Sequence, residues 1–261
     1  MEGNGGREKM PVFFIGHGSP TNVIEDNSFT RNLKAMGESV KEKPKAILVV
    51  SAHWLTDGTY VNVTKKPETI YDFYGFPQEM YEIRYPAPGA PETARKVLKL
   101  LPGTREDNTW GLDHGAWTVL KHMFPQADIP VFQVSIDFPN SMQYHFDLAK
   151  KMKTLRNEGI LIIGSGNIVH NLRMIRFEDH FVYDWCGEFD LWVKDKIEKR
   201  DFDSLIHYEK QGKAAQLSVP TVDHYVPLLY SLALADENEP IEFTHEDLVY
   251  GSLSMRCLRI G

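Results

Sequence analysis

Three times in this chain an uninterrupted apolar run breaks off into small polar residues, with a histidine at or just beyond the break. Ala46-Ile47-Leu48-Val49-Val50 leads into Ser51-Ala52-His53-Trp54, and Val12-Phe13-Phe14-Ile15 into Gly16-His17-Gly18-Ser19-Pro20. Ile160-Leu161-Ile162-Ile163 leads into Gly164-Ser165-Gly166-Asn167, with His170 following. Short aliphatic and β-branched runs without polar alternation mark strands covered on both faces, the pattern of parallel sheets flanked by helices. In such open sheets, ligands bind in the crevice outside the carboxyl ends of the strands. Three buried strands that each deliver a histidine therefore predict one shared site, read here as a metal centre.

The segments between these runs have helical periodicity. A helix is expected from about Ser28 to Val40, and Pro91 to Leu101 carries Ala94, Val97, Leu98 and Leu101 on one face before Pro102-Gly103 ends it. Further helices are expected after Gly115, through Phe146 to Leu155, over Glu188 to Lys199 and over His224 to Leu234. Pro130 to Ile136 and Ser252 to Ile260 read as strands, and the alternating Tyr60 to Thr64 as an antiparallel extension. Strands alternating with helices predict an α/β fold, a three-layer α/β/α domain around a mostly parallel or mixed central sheet. At 261 residues one core suffices, so residues 11–261 are expected to form a single catalytic domain after a flexible N-terminal tail at 1–10.

The net charge of −7 argues against nucleic acid as a partner. No apolar run approaches the ~20 residues of a membrane span. The polar, Gly-rich first ten residues lack the apolar stretch of a signal peptide. Cys186 and Cys257 form no CxxC pair, and Cys257 is expected to be buried packing; a reducing, cytoplasmic setting fits. The loop Tyr71-Asp72-Phe73-Tyr74-Gly75-Phe76-Pro77 reads either as a segment stapled to the core by its own rings or as a wall or lid for a flat substrate.

Of the ten histidines, His122, His145, His180, His207 and His245 lie among charged or helix-surface residues and are left unassigned. His17, His53 and His170 differ, because each follows a buried strand and has small neighbours that would leave space for a metal and a ligand. His224 opens a helix that Asp223 or Thr221 could cap, and His114 between Asp113 and Gly115 reads equally as a loop histidine bonded to its own turn. Other chemistries are weaker. Gly164-Ser165-Gly166-Asn167-Ile168-Val169 begins like a dinucleotide fingerprint but has Val169 where the third Gly belongs, and no GxxxxGK[ST], GxSxG or HExxH occurs.

The run Phe14-Ile15-Gly16-His17-Gly18-Ser19-Pro20 resembles the opening of the class III extradiol ring-cleaving dioxygenases, the LigB-like superfamily, and within it the 4,5-DOPA dioxygenase branch. Val50 to Trp54, Tyr85-Pro86-Ala87-Pro88-Gly89, Gly111 to Gly115, Gly164 to Asn167 with His170-Asn171-Leu172, Asp223-His224-Tyr225 with Pro227-Leu228, and Gly251 to Met255 carry the same resemblance over nearly the whole chain from Pro11. It implies a non-haem iron(II) held by His17, His53 and His224. His170 is implied as an acid/base or fourth ligand, and His114 as a substrate-contacting, catalytic histidine. Two departures stand out: the founding enzymes use a carboxylate as third ligand where this chain offers His224, and the plant pigment enzymes have proline where Asn171 stands.

A facial three-ligand iron keeps positions open for a bidentate catechol and for O₂, the two small-molecule partners expected, and histidine supplies proton transfer near neutrality. Fe(II) is expected for activity, while the all-histidine set also suits Zn(II), expected as a metal the protein takes up. The alternatives are a zinc hydrolase using the same histidines and a non-enzymatic scaffold. The oligomeric state stays open.

Overall fold

The structure, a computed structural model, describes residues 8–178 and 180–261. Its central sheet has six strands: β1 (Val12–Gly16), β2 (Ala46–Ser51), β3 (Val131–Gln133), β4 (Ile160–Gly166), β5 (Ile241–His245) and β6 (Cys257–Ile260), in the spatial order β3-β2-β4-β1-β6-β5. The first four are parallel to one another, and β6 and β5 add antiparallel at one edge. The mixed sheet matches the expected class.

Strand residues alternate between two apolar layers. Val12, Phe14, Leu48, Val50, Ile160 and Ile162 face one layer, and Phe13, Ile15, Ile47, Val49, Leu161 and Ile163 the other; all are buried. Each such side chain contributes about 1.5–3 kcal/mol when removed from water, so neither face tolerates a one-residue register slip. The first layer is covered by helices α2 (Pro91–Leu100), α4 (Met142–Lys150), α5 (Asp184–Glu198), α6 (Phe202–Ile206), α7 (Lys213–Ser218) and α8 (Val226–Ala233). The second is covered by α1 (Ser28–Glu38) and α3 (His114–Met123). Asn27 and Thr30 form a reciprocal capping box that starts α1.

Several expectations need correction. Tyr60–Asn62 pairs in parallel with Arg105–Asp107, because α2 carries the chain back across between them; only Val61 makes an antiparallel bridge, to Val134. Pro130 to Ile136 is interrupted, its last part pairing as Ile136–Asp137 with Leu55–Thr56. Strand β5 was not anticipated: it lies at the sheet edge with a half-polar pattern, so burial does not mark it in the sequence. Of the expected tail, residues 1–7 lie outside the described residues. Lys9 pairs with Asp236 and Glu239, and Met10 is buried with its N–H donating to the Arg156 carbonyl at 3.1 Å, so the anchored chain begins before Pro11. Among the described residues no helix is long and apolar enough to cross a membrane.

Candidate metal centre

β1, β2 and β4 end side by side, and the chain leaving each bears His17, His53 and His170. The two remaining candidates arrive from elsewhere. His114 is the first residue of α3, and His224 lies in the turn before α8 rather than on it. All five imidazoles converge. Ring centroids lie 5.0 Å apart for His17–His53, 5.3 Å for His17–His224, 5.4 Å for His17–His114 and 3.9 Å for His53–His114. His170 stacks flat on His224 at 3.4 Å.

Small residues around the histidines were expected to leave room for ligand. At Gly166 and Gly115 that space is filled by protein. A methyl on Gly166 would run into the His224 carbonyl, which accepts the Asn167 N–H at 2.8 Å, so glycine there lets the His224 turn lie directly on the end of β4. A methyl on Gly115 would come within 2.6 Å of Ser51 Oγ and 3.0 Å of the His53 ring, so glycine lets α3 start against β2. These close approaches are what bring His224 and His114 to the strand ends.

The polar surroundings decide which ring nitrogen carries hydrogen. Ser165 Oγ donates its single hydrogen to the Gly115 carbonyl (2.6 Å), so at its 3.0 Å contact with His17 it accepts, and His17 must be the Nδ1–H tautomer. His224 Nδ1 likewise donates to the Asp223 carboxylate, and Asp72 lies 3.5 Å from His53 Nδ1 and 2.9 Å from His114 Nδ1. The Nε2 atoms are left facing inward: those of His17 and His53 are 3.1 Å apart, and that of His224 is buried without a hydrogen-bond partner. Nδ1–H held by an acceptor with Nε2 free is the arrangement of metal-ligating histidines.

Ligand atoms of His17, His53 and His114 fall within 4.8 Å of one another, as do those of His170, Asp223 and His224. Direct spacing thus groups His114 with His17 and His53, while the unpartnered Nε2 marks His224. Burial, then neighbouring histidines, push His17 and His224 well below the ordinary imidazole range. Burial also brings His53 to about 3 and His170 to about 4. Burial thus disfavours the charged form of these four rings, the direction metal ligation requires.

Sequence reasoning missed Asp72 and Ser165 as partners of the histidines, and gave Asp223 a capping role. No side chain caps α8; Asp223 is spent on His224. Only tertiary contact reveals such partners. Asn171 N–H donates to the Ser252 carbonyl at 3.1 Å and its side-chain amide to the Leu217 carbonyl at 2.7 Å, two bonds a proline there would forfeit. Two unassigned histidines were misjudged. His145 is fully buried against Tyr230, and His245 is half-buried on Phe29.

The family model described as the catalytic LigB subunit of aromatic ring-opening dioxygenase matches residues 11–256. The chain is 44% identical to the 4,5-DOPA dioxygenase extradiol of Escherichia coli K12 over 97% of this chain and 95% of that protein. It is 38% identical to the 4,5-DOPA dioxygenase extradiol of Beta vulgaris over 93% of each. The crystal structure of an uncharacterized protein from Escherichia coli K12 superposes with a TM-score of 0.84 at 40% identity, covering 97% of this chain and 100% of that one. Together with the histidine cluster, these matches support a non-haem metal and a small aromatic substrate opened with O₂. The chain belongs to the LigB family of aromatic ring-opening dioxygenases.

Proposed function

We propose that this protein is an extradiol dioxygenase that opens the ring of a DOPA-like catechol with O₂, using iron(II) held by His17, His53 and His224. The observation that carries this reading is the convergence of neutral imidazoles whose Nδ1 atoms face acceptors, so that Nε2 lone pairs point inward. The two relatives named as 4,5-DOPA dioxygenases support the substrate class. His224 is preferred over His114 as third ligand because its buried Nε2 has no other partner, whereas His114 opens a helix beside the aromatic loop.

Bound there, iron(II) would orient both catechol oxygens, lower the pKa of the hydroxyls and activate O₂. The chain's own residues do the rest. The Phe73 ring stands edge-on to His114 at 5.8 Å and forms an apolar wall beside the site. His114 lies beside His53 and His170 beside His224, and these two are the groups that accept and return protons of the diol. Three neutral imidazoles leave the full metal charge available to a catecholate. They also accept zinc, which binds without performing the redox step. The test is anaerobic loading with iron(II) followed by a catechol panel: O₂ uptake and a yellow semialdehyde are expected from the iron form and neither from the zinc form. Ester or amide hydrolysis by the zinc form, with no O₂ uptake by the iron form, would replace this reading with a hydrolase.

A further inference from the structure

The aromatic loop is anchored from behind more firmly than a connection requires. Tyr71 Oη–H donates to the Ile83 carbonyl (2.8 Å), Trp117 Nε1–H to the Ile70 carbonyl (2.9 Å), and the Ile70 N–H to the Leu112 carbonyl (2.7 Å). The rings of Tyr71, Phe73, Tyr81 and Trp117 pack against one another around these bonds. What this mounting delivers is one carboxylate. Asp72 Oδ1 accepts the backbone N–H of His114 at 2.8 Å, and Oδ2 accepts the Nδ1–H of the same residue at 2.9 Å. The same Oδ2 lies 3.5 Å from Nδ1 of His53. Holding a histidine by backbone and ring at once fixes its rotamer as well as its tautomer.

We propose that Asp72 is a positioning residue for ring opening: it holds His114 as the Nδ1–H tautomer with Nε2 presented to the catechol, and keeps the His114 and His53 rings at their 3.9 Å spacing. The proposal rests on the catechol reading above. In the step it serves, a catechol O–H bond breaks, the electron pair stays on oxygen, and the proton forms an N–H bond at His114 Nε2. The resulting imidazolium is stabilised by Asp72, which itself takes no proton. An Asn at this position would still accept the backbone N–H but would turn an NH₂ toward Nδ1, favouring the opposite tautomer, with Nε2 blocked by hydrogen.

The experiment combines kinetics of the iron-loaded holoenzyme with ¹⁵N spectra of the histidine rings in the zinc-loaded protein. Asp72→Asn is expected to keep its metal and a catechol KM within about threefold, while kcat falls about 10²–10⁴-fold. His114 should move from the Nδ1–H to the Nε2–H tautomer. In the double variant D72N/H114A the loss should be no larger than in H114A alone, and Asp72→Glu should recover part of kcat. Unchanged kcat, an additive double variant, or loss of metal in D72N would overturn the proposal. If D72N does not fold, the wild-type ring spectrum decides alone, since an Nε2–H tautomer at His114 would overturn it. Wild type inactive on every catechol would remove the functional reading, yet the ring spectra would still report whether Asp72 sets the tautomer.

Discussion

Among the described residues histidine is fully buried in two places, and they differ in a way that separates a site from packing. At the ends of β1, β2 and β4, five rings meet, and an acceptor faces Nδ1 of His17, His53, His114 and His224. In α4, His145 is also fully buried, its Nδ1 contacts Tyr230 at 3.3 Å, its Nε2 has no partner, and burial pushes it down to about 4. Burial, a depressed pKa and an orphaned nitrogen are common to both. Convergence of several lone pairs is what the first has and the second lacks, and a metal needs several ligands at once.

The largest effect expected from this contrast is on metal. His17→Ala or His53→Ala should lose most of the bound metal and bring O₂ uptake to background, whereas His145→Gln should keep full stoichiometry; metal analysis of the three proteins side by side checks it. A drop in metal for the His145 variant comparable with His17→Ala would erase the distinction.

Next in size is the split within the cluster. His224→Ala should lose metal, while His114→Ala and His170→Ala should retain it and bind catechol anaerobically with kcat lower by about 10²–10⁴-fold. If His114→Ala empties the site and His224→Ala does not, the tighter group of His17, His53 and His114 is the ligand set.

A smaller change probes the scaffold beneath. Gly166→Ala sets a methyl against the His224 carbonyl, so it should cost about 1–3 kcal/mol of stability by overpacking. By shifting the His224 turn it should also weaken metal affinity about 10–100-fold. Denaturant midpoints and a metal-competition titration measure the two, and wild-type values in both would mean the turn has slack.

The subtlest test concerns His145 and acid. Its folded pKa of about 4 lies below its ordinary 6.5, so between these values the unfolded chain binds the extra proton. Its share of stability is therefore intact above about pH 6.5 and declines as pH falls toward 4, by on the order of 3 kcal/mol. Subtracting the pH profile of His145→Gln from that of wild type isolates this share from the other buried histidines. A difference flat between pH 6.5 and 4 would show that Asp137, the acid that raises His145 against burial, keeps the ring charged.

The amino-acid sequence by itself determined three parallel strands at the centre of the sheet and the three histidines that follow them. Val12–Ile15, Ala46–Val50 and Ile160–Ile163 are short β-branched and aliphatic runs without polar alternation, and each becomes a strand covered on both faces. Where each run ends, the chain must emerge at the same edge of a parallel sheet, so His17, His53 and His170 are neighbours by topology. Resemblance of whole motifs added His114 and His224, which residue-level reading left open. Tertiary structure decided the rest. Asp72, Ser165 and Asp223 orient the rings through contacts made after the chain has folded, and Asp72 and Ser165 do so across 42 and 148 residues of sequence. His145 looked like a surface residue because its neighbours in sequence are mixed, yet α4 turns that side toward Tyr230. A hydrogen bond depends on direction and distance in space, which local composition does not encode, whereas hydrophobic periodicity is local and survives in the sequence.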